Sequence, residues 1–226
     1  MLSLNSTDVG YGDGDSILLQ LSHPEVPRPA LLCGITSLPT HHRRSRERVN
    51  QFLFSPGASE RTPDVRLFEG DAIWRPGRRD LEHPLSPQSG NEFDSILALD
   101  CAYHFDPRRE FLRQSFQRLA PGGSVALADI CFSNPPRAAL EFFLSRVLHV
   151  IPRGNMVTKE QYVQQMYEIG YENIGVDDIT PFVFPGFRRF LEQRGILWGL
   201  FAGIMGWLQG RGLCFVIIDG RKPFVL

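Results

Sequence analysis

Apolar residues recur in short blocks set between polar, proline-rich and glycine-rich stretches, and the blocks alternate between two periods. Compact apolar runs at residues 30–35, 65–68, 94–99, 124–130 and 213–218 read as buried strands. Between them, residues 16–21, 39–53 and 107–119 carry apolar positions at helical spacing, such as Phe111, Leu112, Phe116 and Leu119. Pro39 stands where a first helical turn tolerates proline. Residues 2–9 form a weaker strand, because Asn5, Ser6 and Thr7 interrupt its apolar pattern. Residues 74–92 read as a surface loop. Pro121-Gly122-Gly123 predicts a sharp turn before the strand at 124–130. Further on, residues 137–150 and 158–169 read as helices, with Thr158 a favourable cap, and 174–179 as a strand.

Strands alternating with helices at short spacing predict an α/β fold with a mostly parallel sheet covered on both faces. The 226 residues suffice for one domain with a sizeable core. Residues 131–212 are the less regular part and read as lid elements within that domain. They hold Phe132, Phe142, Phe143, Phe182, Phe184, Phe187 and Phe190, which serve either an apolar pocket or an ordinary core. Residues 195–210 carry no charge and fall short of the roughly 20 needed to span a bilayer. Gly195, Gly199 and Gly203 permit close helix contact there. A buried or lid helix is the first reading of this stretch, and shallow membrane contact the second.

Charge narrows the partners. A formal net charge of -1 supplies no field to hold the chain on nucleic acid. The run Arg43, Arg44, Arg46 and Arg48 reads as a solvated helix face. Cys33, Cys101, Cys131 and Cys214 show neither paired nor metal-finger spacing, and three lie in or beside strand-like runs. They read as reduced core residues of a cytoplasmic protein without a metal site. No secretory signal is visible at the N-terminus. The oligomeric state stays open.

The chemistry centres on Asp8-x-Gly10-x-Gly12-x-Gly14, placed after the first strand. Glycines permit the turn and let a ligand approach the backbone, and the following helix offers free N–H groups to an anion. A dinucleotide fingerprint would need glycine where Asp15 stands, which disfavours a nicotinamide-dependent oxidoreductase.

Four more segments follow in order: Gly34-Ile35-Thr36-Ser37-Leu38-Pro39, Glu69-Gly70-Asp71-Ala72, residues 93–105, and Arg118-Leu119-Ala120-Pro121-Gly122-Gly123. Together with the glycine loop they resemble the class I S-adenosylmethionine-dependent methyltransferases. The similarity is to the small-molecule group of sterol, tocopherol, coclaurine and ubiquinone-pathway enzymes, and covers roughly residues 8–220. It implies a Rossmann-like, doubly wound sheet of seven strands, mostly parallel with an antiparallel last strand, and a C-terminal helical lid. S-adenosyl-L-methionine is the implied cofactor and a small, lipophilic or secondary-metabolite molecule the implied acceptor. The resemblance places Asp8, Gly10, Gly12 and Gly14 at the methionine part of the cofactor and Thr36 and Ser37 at the ribose. Asp71 and Ala72 fall at the adenine, and Asp100 and Cys101 near the sulfonium. Tyr103 and His104 face the acceptor as the candidate catalytic pair, His104 as a base because its ordinary pKa lies near neutrality. A structural hydrogen-bonding role for His104 and simple packing for Tyr103 are the competing readings. His41 and His42 read as surface residues, and His149 as a core residue.

The group carries several dozen residues before its first strand, whereas this glycine loop begins ten residues from Met1. An N-terminally shortened chain is therefore expected. The rival function is a catalytically inactive methyltransferase-like protein that binds a ligand or partner.

Overall fold

The computed structural model describes residues 4–55, 63–76 and 83–224. Residues 77–82 of the expected surface loop lie outside them, as do residues 2 and 3 of the expected first strand. One seven-stranded sheet runs in the order β3-β2-β1-β4-β5-β7-β6. The strands are β1 Asn5–Val9, β2 Leu31–Thr36, β3 Asp64–Glu69, β4 Phe93–Leu99, β5 Leu119–Phe132, β6 Glu172–Asp178 and β7 Leu213–Arg221. The first five are parallel, and β7 inserts antiparallel between β5 and β6. The helices are α1 Asp15–Ser22, α2 Pro39–Leu53, α3 Arg108–Arg118, α4 Ala138–Phe142, α5 Lys159–Ile169, α6 Thr180–Glu192 and α7 Ile196–Gln209.

The polar strand β1 is central, paired with β2 on one side and β4 on the other. Part of its polarity is absorbed by one residue of α1, while Thr7 Oγ1 and Asp8 Oδ1 have no hydrogen-bond partner among the described residues. Ser6 Oγ donates to Gln20 Oε1 at 2.8 Å, and Gln20 Nε2 donates to Asp8 Oδ2 at 3.3 Å. Buried polar groups persist where they are paired in this way.

Three elements depart from the sequence pattern. The expected turn at Pro121-Gly122-Gly123 is part of β5. The register with β4 jumps from Phe93↔Leu119 to Ser95↔Ser124, and Gly122 takes a positive φ of 79°. A bulge absorbs the extra residues and the strand continues, because Gly122 and Gly123 pair with Lys222 beyond β7. The expected helix at 137–150 is α-helical only through α4 and widens into a π turn at Phe143–Val147. His149, just past it, is exposed at φ 52° and is no core residue. Helix α6 was masked in the sequence by Pro181 in its first turn and Pro185 inside it.

The main core lies between the sheet and its covering helices, including Phe93, Ile96, Phe111, Leu112, Leu127 and Tyr162. Cys33, Cys131 and Cys214 are buried, and all four cysteines are free.

Candidate functional site

The end of β1 begins the site. Gly10 N–H donates to Ile35 O at 2.8 Å, so the chain leaves β1 alongside β2. Gly10, Gly12 and Gly14 all have positive φ, at 82°, 54° and 89°, where a side chain is strained. Their surroundings differ. A β-carbon at Gly10 would stand 2.5 Å from Cys101 Sγ, and one at Gly14 2.9 Å from Ser45 Cβ. At Gly12 it would meet nothing within 4 Å. The outer glycines thus allow close packing, while the middle one leaves backbone open to a cleft.

Tyr11, which the sequence pattern did not single out, and three residues it read as surface fix this loop. The Tyr11 ring turns inward and lies on Gly34, where a β-carbon would come within 2.7 Å of it. Its hydroxyl meets His42 Nδ1 at 3.0 Å, so His42 is part of the loop's support rather than free surface. Arg48 donates to Asp13 O at 2.7 Å and pairs with Asp15, and Arg44 pairs with Asp13. Half of the basic run therefore clamps the loop instead of forming a plain solvated face. The remaining signals for these contacts are tertiary, and no local spacing announces them.

The cleft over Gly12 has a volume of about 960 Å³ and opens where β1, β2, β3 and β4 end. Gly10, Gly12, Thr36 and Ser37 line it, as do Asp71, Ala72, Asp100, Cys101 and His104. This is the crevice position that open α/β sheets offer to ligands. Asp8, Gly14 and Tyr103 stand outside its lining. Asp8 is wholly buried behind the loop, and burial pushes its carboxyl up to about 6 against the hydrogen bonds of Ser16 and Gln20. Its Oδ1 has no partner among the described residues. Gly14 caps α1. Tyr103 packs against the second apolar cluster, around Phe132, Leu144 and Phe184.

Acidic groups dominate the cleft wall, with Asp13, Asp15, Asp71, Asp100 and Asp106 on it and Arg75 among them. Asp71 is already engaged, accepting from Ile73 N–H at 3.1 Å and pairing with Arg75. Arg75 also donates to Asp106 O at 2.9 Å, which ties the β3 end to the segment that follows β4. Asp100 sits at φ 55° and donates its N–H to Ala128 O at 2.7 Å. Desolvation raises its carboxyl above the ordinary range, with a hydrogen bond from Tyr103 opposing. Burial raises the Cys101 thiol well above its usual value, so it is a neutral packing group; it donates to Val9 O at 3.2 Å.

His104 closes the turn Ala102–His104 and is exposed. Its Nδ1 lies 2.7 Å from Val150 O. A carbonyl oxygen only accepts, so Nδ1 carries the proton and Nε2 of the neutral ring holds a lone pair. The turn itself hangs on Asn155, whose side-chain amide donates to Tyr103 O at 3.0 Å and Phe105 O at 2.6 Å. Asn155 Oδ1 accepts the Arg108 N–H at 3.0 Å, and Arg108 pairs with Asp129 at 2.7 Å in a fully buried network that Tyr162 completes. Nothing in the sequence spacing pairs Arg108 with Asp129.

A wider groove of about 1410 Å³ lies between α4, α7 and residues 133–137. It shares no lining residue with the cleft over Gly12. Size does not choose between them; the converging strand ends, the open glycine and the acidic wall do.

In solved structures the same fold recurs over nearly the whole chain. A putative sarcosine dimethylglycine methyltransferase from Galdieria sulphuraria superposes with TM-score 0.72 at 16% identity, covering 98% of this chain and 79% of that one. Phosphoethanolamine N-methyltransferase 2 of Haemonchus contortus, solved with S-adenosyl-L-methionine, gives TM-score 0.69 at 19% identity, covering 99% and 50%. The fold is that of the class I methyltransferases. Sequence relatives carry the same name. Erythromycin 3''-O-methyltransferase of Saccharopolyspora erythraea is 30% identical over 181 residues, which are 76% of this chain and 52% of the relative. The 27-O-demethylrifamycin SV methyltransferase of Amycolatopsis mediterranei is 29% identical over 189 residues, 82% and 60%. The methyltransferase-like chain thus spans about half to three-fifths of the length of these curated relatives. No protein-family model matches it.

Proposed function

We propose that the protein transfers the methyl group of S-adenosyl-L-methionine to a small, lipophilic or secondary-metabolite acceptor. The observation that carries this is Gly12: backbone held at positive φ, with open space where its β-carbon would be, at the floor of an acid-walled cleft. Such a site suits a ligand that joins a close-approaching carboxylate to a cationic sulfonium. Asp100 and Asp106 have no salt-bridge partner among the described residues and give that cation its counter-charge.

In this reading Gly10 and Gly12 hold the methionine part, with Asp8 and Gly14 shaping the loop from behind. Thr36 and Ser37 border the ribose, and Asp71 and Ala72 the adenine. Asp100 and Cys101 stand near the sulfonium. The bound cofactor supplies an electrophilic methyl group; the protein supplies position and a shaped cavity. The named relatives act at an O-linked position of erythromycin and of rifamycin, which favours a hydroxyl acceptor here. A hydroxyl proton must leave, and His104 Nε2 accepts it while Val150 O holds the other side of the ring. Tyr103 orients the acceptor beside it. Residues 131–212 form the lid of this single domain, and the apolar stretch 195–210 meets a lipid surface.

Calorimetric titration with S-adenosyl-L-methionine and with NADH tests the cofactor. Heat from the first alone is the expected result. Binding of the nicotinamide alone overturns the reading, and binding of neither replaces it with an inactive relative.

A further inference from the structure

The α6–α7 hairpin stands on the sheet edge where the cleft opens. Helix α6 follows the end of β6, and α7 leads into β7 where it pairs with the end of β5. Helix α7 has no charged residue along its 14 positions, and only Ala202 and Leu208 are buried. Ile196 is 87% exposed, Leu197 80% and Leu200 63%. Trp198, Phe201, Ile204 and Trp207 are exposed as well, and α6 adds Phe182 and Phe190. A helix apolar on most of its circumference is stable when something covers it, and an exposed patch of this kind marks an interaction surface.

The charges beside the patch say what covers it. Residues 180–211 hold four arginines, at 188, 189, 194 and 211, against the single acid Glu192, in a chain whose net charge is -1. None of these arginines has a salt-bridge partner among the described residues. The Arg194 guanidinium lies 4.2 Å over the Phe190 ring, and that of Arg211 3.6 Å over Trp207. Arg188 reaches across to α7 at Gly206, and its buried Nε has no hydrogen-bond partner. Cationic heads thus border an aromatic and aliphatic face, the arrangement of a helix lying in a membrane interface. No helix of the described residues is long and apolar enough to cross a membrane.

We propose that the α6–α7 hairpin docks on an anionic lipid bilayer, with α7 in the interface plane and its arginine border on the headgroup phosphates. A second copy fits the face less well, because a two-fold contact would set one arginine border against another. Docking brings the cleft's edge of the sheet to the place where lipophilic molecules partition. That consequence rests on the proposed transfer; the docking does not.

Sedimentation with phosphatidylcholine vesicles and with mixed phosphatidylcholine–phosphatidylglycerol vesicles tests the proposal. Binding to the mixed vesicles is expected to be at least about tenfold tighter and to weaken with added salt. Arg194→Gln and Arg211→Gln each weaken it about fivefold, and Leu197→Glu with Leu200→Glu abolishes it. The substituted residues are exposed, so the far-ultraviolet circular dichroism and melting temperature of each variant, unchanged from wild type, check the fold without reference to the cofactor. Three results overturn the proposal: no binding to either vesicle, equal binding by wild type and variants, or a dimer by light scattering that the leucine substitutions dissolve.

Discussion

At Gly12, backbone at φ 54° meets open space. A valine there is strained and fills the volume assigned to the methionine part of the cofactor, so Gly12→Val is expected to abolish cofactor binding in calorimetry. Affinity equal to wild type would remove the glycine loop from the site. His104 makes a different claim. If Nε2 takes the acceptor's proton, His104→Ala lowers turnover by about 10²- to 10⁴-fold with cofactor affinity unchanged. Equal loss of both quantities would make the Val150 bond its purpose. Asp8 carries a pH signature instead. Its folded carboxyl is raised to about 6 from an ordinary 3.8. The folded protein therefore keeps a proton that the unfolded chain releases. On this account stability is highest below pH about 4, declines through about 4–6, and stays lower above by about 3 kcal/mol. Asp8→Asn removes this contribution. Urea unfolding of both proteins across that window checks it: the wild-type-minus-variant difference falls with rising pH, and a flat difference sinks the assignment.

Among the elements, α5 has the most complete local signal. Thr158 Oγ1 accepts from Gln161 N–H at 3.3 Å and Gln161 Oε1 accepts from Thr158 N–H at 2.9 Å, a reciprocal capping box. Thr158→Ala is expected to lower stability by about 1 kcal/mol in chemical denaturation, with the sheet unchanged. Elements of this kind were legible from the chain alone, and α2 spans the residues its spacing predicts, 39–53. What the pattern hid has physical causes. Proline obscured α6, and β1 looked weak because its partner Gln20 lies 14 residues from Ser6. The glycines, the strand-end segments and His104 could be read because their chemistry is local. Tyr11, Arg75, Asn155 and the pair Arg108–Asp129 could not, since each acts on a residue brought near only by the fold.

For the molecule as a whole, the buried Arg108–Asp129 pair joins β5, α3 and the turn Ala102–His104 through Asn155. Removing one partner leaves the other charge unpaired in the interior. Arg108→Met is therefore expected to cost about 3–5 kcal/mol, and Arg108→Met with Asp129→Leu distinctly less. Thermal and urea unfolding of the wild type, both single variants and the double variant measure the difference, and additive losses would show the pair to be uncoupled. The placement of β7 has a consequence for how the chain is assembled. Strand β6 reaches the sheet only through β7, which is made later and slots between β5 and β6. During synthesis, β5 waits with an open flank and β6 has no hydrogen-bonded neighbour until β7 has emerged. Completing this side of the sheet therefore takes an insertion between two earlier segments, a long-range pairing without which both flanks keep unpaired backbone on the side away from the glycine loop.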